Sequence, residues 1–238
     1  KTTAIDLVVL LDDSKSLTST KNERVPSDPD GTRFDALKTM FESINSGLEN
    51  RVPVIPKFFA FGTSVKELNP NSGLDDPSAL ATDIRELLPI RNQEPGTNFQ
   101  KALDKATDYL TSRPPSNCKF LVWFTDGAIN INPGPGMEAT ALGFEKICGI
   151  NPVTGQKTNQ DPIINKFRSS GINIQGILLR NRDVLENPED YGQNREDMEA
   201  ESRGMTYFSP IVEYSGTVDT GYFVNNGREI SIECGSPS

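Results

Sequence analysis

Asp12, Ser14 and Ser16 stand at alternate positions directly after the apolar run Ile5 to Leu11 (IDLVVLL). In a near-extended segment alternate side chains point the same way, so one carboxylate and two hydroxyls converge while Asp13 and Lys15 face elsewhere. Such oxygens suit a hard divalent cation. The pattern also has a plainer reading, because Ser and Asp after a strand often cap the next helix or make a turn. Two further residues stand at matching places. Thr97 lies in a Gly-Thr-Asn loop that opens a helical stretch, and Asp126 ends a second apolar run in Thr-Asp-Gly. Alone, Thr97 reads as a helix N-cap and Asp126 as a turn former. Together, three loops offering only oxygens predict a metal site of Asp12, Ser14, Ser16, Thr97 and Asp126.

The elements that must position these residues follow from periodicity. IDLVVLL and Cys118 to Thr125 (CKFLVWFT) are continuous apolar runs, the mark of central strands covered on both faces. Ile172 to Leu179 is a third. Val52 to Phe61 reads as a strand whose first half lies at an edge or outside the ladder, because of Pro53 and Pro56, with its core at Lys57 to Phe61, and Val65 to Leu68 as a short edge strand. Helical spacing appears from Arg33 to Leu48, with Phe34, Leu37, Phe41, Ile44 and Leu48 on one side, and again over 77–88, 98–112 and 163–170. Strands alternating with helices predict an α/β fold, a doubly wound and mostly parallel central sheet flanked by helices. Ligands of such sheets bind outside the carboxyl ends of the strands, where all three loops fall.

One domain over 1–238 is expected, with a loop insertion at about 129–160 and a C-terminal β-hairpin extension at about 209–238. The insertion is rich in Asn, Pro and Gly, with a helix from Met137 to Ile147, and is the expected source of partner selectivity. An acidic helix is expected from Glu189 to Arg203 and an outer strand from Met205 to Phe208. The tail has no helical period; Tyr222 to Val224, Asn226-Gly227 and Glu229 to Cys234 read as a hairpin with a tight turn.

The 238 residues carry a formal net charge of −9, which opposes attraction to phosphate backbones and anionic lipid. Nucleic acid is not an expected partner. No apolar run approaches the ~20 residues that span a bilayer, so this segment is not expected to insert into a membrane. Histidine is absent, which removes imidazole as base, nucleophile or metal ligand. Cys118, Cys148 and Cys234 have no metal-ligand spacing; one disulfide among them is possible, with the pairing open. Asp13, Asp28 and Asp30 form an acidic rim that could hold a second cation, though a solvated acidic loop is the simpler account.

With these residues in place, the chain resembles the von Willebrand factor A family with its metal-ion-dependent adhesion site. The D-x-S-x-S corresponds to Asp12, Ser14 and Ser16, the loop threonine to Thr97 and the T-D-G aspartate to Asp126; elements from Ile5 to about Phe208 fit the fold. The resemblance implies that Ser14, Ser16 and Thr97 bind metal directly, and Asp12 and Asp126 directly or through water. It implies Mg²⁺, with Mn²⁺ or Ca²⁺ able to substitute, and a protein partner whose Asp or Glu completes the shell. A hairpin tail does not fit members that signal through a sliding final helix. The texture around Ser-Leu-Thr, Asp-Pro-Asp and Trp-Phe-Thr-Asp-Gly is similar to bacterial, particularly actinobacterial, secreted A-domain proteins, so an extracellular or cell-surface setting is expected. The expected function is metal-dependent protein binding, adhesion-type and not enzymatic. The alternatives are a domain that the metal merely stabilises and a Mg²⁺-dependent phosphoryl-transfer enzyme.

Overall fold

The computed structural model of the chain describes residues 3–18, 26, 28–48, 52–89, 93–125, 149, 157, 163–178, 180–181, 217–218 and 221–222. In chain order the elements are β1 (Ile5–Asp12), α1 (Thr32–Leu48), β2 (Val54–Phe61), β3 (Val65–Leu68), α2 (Pro77–Leu87), α3 (Phe99–Ser112), β4 (Cys118–Thr125), α4 (Ile163–Ser170) and β5 (Ile172–Leu178). Three two-residue strands complete them: β6 (Arg180–Asn181), β7 (Thr217–Val218) and β8 (Gly221–Tyr222). The main sheet has the order β3-β2-β1-β4-β5, parallel except for β3. This is the expected doubly wound α/β sheet, with Val65–Leu68 at its edge.

Alternation along the strands divides the core between two faces. Leu7, Val9 and Leu11 of β1, Phe58 and Ala60 of β2, and Val122 and Phe124 of β4 pack with Phe34, Leu37 and Phe41 of α1 and Leu80 and Ile84 of α2. The intervening residues turn to the other face. There Phe59 meets Tyr109 of α3 edge-on at 6.5 Å between ring centroids, and Asp6 pairs with Arg113 just past that helix. Both faces of β1 are therefore covered, which is why its sequence does not alternate with polar residues.

Pro56 lies inside the ladder, opposite Leu7, so β2 is regular from Val54 rather than from Lys57. The Ile5 N–H donates to Pro53 O at 2.9 Å and the Asp13 N–H to Phe61 O at 2.8 Å, so odd-numbered residues of this strand turn their backbone groups toward β1. Pro56 faces the opposite side, where β3 pairs only from Phe58 onward. Its missing N–H costs no ladder bond.

The expected Asn-Gly hairpin lies outside the described residues apart from Tyr222, and a different pairing is seen before it. Thr217–Val218 pairs antiparallel with Gly221–Tyr222, and the latter also pairs with Arg180–Asn181 just past β5. Residues 226–234, the insertion apart from 149 and 157, the Glu189 to Arg203 helix and the Met205 to Phe208 strand lie outside the described residues. Of the cysteines, Cys118 opens β4 and is half-buried, whereas Cys148 and Cys234 lie outside the described residues, and the expected disulfide with them. Among the described residues no helix is long and apolar enough to cross a membrane.

Candidate metal centre

The order β3-β2-β1-β4-β5 places successors of β1 on opposite sides, so the chain reverses its direction of travel between β1 and β4. That switch point opens a crevice at the carboxyl ends of the two strands. Leu11 of β1 lies opposite Phe124 of β4, which brings Asp12 beside Thr125. The Thr125 hydroxyl donates to Asp12 Oδ2 at 2.7 Å, and the Ser14 N–H donates to Asp12 Oδ1 at 2.8 Å. Asp12 and Thr125 are fully buried. A buried carboxylate must be satisfied by such donors, and these two fix its orientation.

After Asp12 the chain enters a single 3-10 turn at Lys15–Leu17. Ser14 occupies its N-cap position, yet its side chain makes no capping bond. Instead the Ser14 and Ser16 hydroxyl oxygens lie 3.0 Å apart. A Mg²⁺ octahedron with bonds of about 2.1 Å puts neighbouring oxygens roughly 3 Å apart, so this pair matches one edge of such a shell. The donor set is hydroxyl and carboxylate oxygen throughout, and the residues fit a hard cation.

The loop that carries Thr97 lies directly against this segment. Ser14 bridges Glu94 in parallel, the Lys15 N–H donates to Glu94 O at 2.9 Å, and the Glu94 N–H donates to Asp13 O at 3.3 Å. Thr97 is buried, and the cap of α3 is its neighbour: Asn98 Oδ1 accepts from the Lys101 N–H at 3.0 Å. The reading of Thr97 as an N-cap is therefore corrected, because the side-chain carbonyl of Asn98 fills that position. Asp126 lies outside the described residues; Thr125, one residue before it, reaches the site.

Asp13 turns away from Asp12, as alternation requires. Its Oδ2 lies 3.5 Å from Lys66 Nζ, and its buried Oδ1 has no hydrogen-bond partner among the described residues. Burial raises its carboxyl above the ordinary range, partly offset by Lys66 and Arg33. For Glu94, partial burial acts upward, but the Ser64 hydroxyl and N–H outweigh it and hold the carboxyl low. Of the acidic rim, Asp13 and Asp28 are buried and Asp30 is exposed, so only Asp30 fits a solvated loop. Asp28 is buried, accepts from the Thr32 N–H at 2.6 Å, and pairs with buried Arg33 at 2.8 Å. It caps α1, and its negative charge is already matched by a guanidinium, which disfavours a second cation there.

Residues 7–128 match the von Willebrand factor type A domain family. The chain belongs to that family. No curated protein matches the A domain in sequence. Among solved structures it is similar to proximal thread matrix protein 1 from the mussel byssus with a zinc-occupied MIDAS motif, at 16% identity and a TM-score of 0.47 over 74% of this chain and 38% of that one. It is also similar to the pilus adhesin SpaC from Lactobacillus rhamnosus GG, at 13% identity and a TM-score of 0.48 over 94% and 38% of the two chains. A third is the manganese-loaded TRAP protein of Plasmodium vivax, at 17% identity and a TM-score of 0.41 over 81% and 64%. The A domain thus spans little more than a third of the first two proteins.

Sequence reasoning overlooked Thr125 and Glu94. Thr125 stands in the Thr-Asp-Gly that drew attention to Asp126, so its nearness was available; its hydroxyl's direction was not. Nothing local marks Glu94.

Proposed function

We propose that this A domain binds a divalent cation through Asp12, Ser14, Ser16, Thr97 and Asp126 and uses it to capture an Asp or Glu side chain of a protein partner, outside the cell or at its surface. The observation that carries this reading is the pair of Ser14 and Ser16 hydroxyls 3.0 Å apart beside a carboxylate locked by Thr125 and the Ser14 N–H. A bound Mg²⁺, or Mn²⁺ or Ca²⁺ in its place, would supply an electrophilic point for a partner's carboxylate. Ser14, Ser16 and Thr97 contribute neutral oxygens, which leave positive charge for that carboxylate. Asp12 holds the Ser14 backbone in register. The selectivity for a partner is assigned to the insertion at 129–160, within one domain over 1–238.

Asp13 and Lys66 pair with each other at 3.5 Å, so neither is offered as a second catalytic group beside Asp12 for phosphoryl transfer. Calorimetric titration with Mn²⁺ and Mg²⁺ tests the site, with Asp12→Ala and Thr97→Ala expected to abolish or sharply weaken binding. Equal affinity in all three proteins would overturn it. Binding of a short Asp-containing peptide that requires Mn²⁺ and is reversed by EDTA tests the capture step and separates it from a purely stabilising metal.

A further inference from the structure

Glu94 is fastened to two loops at once. Its backbone joins the Asp13–Lys15 segment on both sides, and its carboxylate spans Ser64: Oε2 accepts from the Ser64 N–H and Oε1 from the Ser64 hydroxyl, each at 2.7 Å. Gly62 makes this seat possible. A Cβ there would stand 2.6 Å from Glu94 Cβ and 3.3 Å from Gly96 O, closer than backbone and side chain tolerate. The same Gly62–Ser64 turn then takes the residues on either side of Thr97. Thr63 Oγ1 accepts from the Gly96 N–H at 3.1 Å, and Gly62 O accepts from the Asn98 N–H at 2.7 Å. Thr97 is therefore hung between two fixed residues on a loop that Glu94 pins.

We infer that Glu94, seated on the Gly62–Ser64 turn between β2 and β3, is the positioning residue that holds Thr97 at the metal centre and keeps its loop in register with Ser14. The inference rests on the reading of Thr97 as a ligand. Residues that orient a metal's ligands contribute about 10- to 100-fold to affinity without touching the metal. Gln at 94 reproduces the clamp, because its carbonyl accepts from the Ser64 N–H while its amide donates to the Ser64 hydroxyl. Ala removes it.

The test is Mn²⁺ and Mg²⁺ titration of the full 238-residue chain carrying Glu94→Ala, Glu94→Gln, Ser64→Ala or Thr97→Ala, with thermal unfolding of each in EDTA. The expected result is affinity about tenfold weaker or worse in Glu94→Ala and near wild type in Glu94→Gln. Ser64→Ala, which keeps the N–H half of the clamp, falls between them. Loss of metal binding in Thr97→Ala with unchanged affinity in Glu94→Ala overturns the inference and leaves the metal site standing. Lowered unfolding temperature in Glu94→Ala at unchanged affinity overturns it too, by making the clamp structural only. If Glu94→Ala does not fold, Ser64→Ala decides by the same criterion. Absence of metal binding in the wild type instead overturns the parent reading.

Discussion

Two adjacent aspartates at the end of β1 have opposite fates, and the pleat is the reason. Asp12 is directed to the α3 side, where Thr125 and the Ser14 N–H satisfy it. Asp13 is directed to the α1 side, where it is buried with one oxygen unmatched among the described residues and Lys66 at 3.5 Å from the other. Its folded-state pKa lies above the unfolded value of about 3.9, so the folded protein holds that proton more tightly. The stability linked to it is fully present below the unfolded pKa and is lost as pH rises through the folded value. Asp13→Asn removes this dependence. In EDTA, urea unfolding of wild type and variant is expected to diverge in the variant's favour as pH rises from about 3.5 to 7. A difference that stays flat or reverses sign would contradict the assignment.

At the scale of elements, α1 is held at its start by a buried ion pair rather than by a solvent-facing cap. Asp28 accepts from the Thr32 and Arg33 N–H groups and pairs with the Arg33 guanidinium, which lies 4.4 Å from the Phe34 ring centroid. Removing one member of such a pair leaves the other charged and desolvated. Asp28→Ala is expected to lower unfolding free energy by about 3–5 kcal/mol, and the double change Asp28→Leu with Arg33→Met to recover most of that loss. Urea midpoints of the three proteins check it. Most elements were legible in sequence because their periods are strong: IDLVVLL and CKFLVWFT could only be central strands. The edge position read for the first half of β2 is met, while Pro56 stays inside the ladder with β1 because a proline's cost depends on which side its missing N–H faces. That side is set by register with β1 and by where β3 begins.

At the scale of the whole molecule, the candidate site sits where strands separated by more than a hundred residues end side by side, Asp12 on β1 and Thr125 on β4. A cation bound only by this assembled state stabilises it by mass action. Free Mn²⁺ at about one hundred times its dissociation constant adds roughly 2.7 kcal/mol, which raises the unfolding temperature of a chain this size by roughly 5–10 °C. EDTA is expected to reverse the rise, and Asp12→Ala to abolish it. Thermal unfolding with the variant showing the same rise as wild type would place the metal elsewhere. The small β6-β8-β7 sheet starts just past β5, at the same carboxyl rim, so residues 217–218 and 221–222 return to the end of the sheet that carries Asp12.

The sequence by itself determined the order and type of the elements from β1 to β5 and the two-face burial of β1 and β4; the spacing of Asp12, Ser14 and Ser16 marked the candidate site, although Ser16 reaches it from a 3-10 turn and not from an extended segment. Each of these follows from near-neighbour periodicity, which a chain carries in its own spacing. Only the tertiary structure decided what surrounds them. That Thr125 orients Asp12 and that Glu94 reaches Ser64 across a side-chain-free Gly62 depend on loops brought together by sheet order, whereas the Asn98 cap of α3 and the Asp28–Arg33 pair are local contacts that periodicity does not mark. Hydrogen-bond partners thirty or a hundred residues apart leave no periodic trace, because their pairing is fixed by strand register and crossover and not by local sequence.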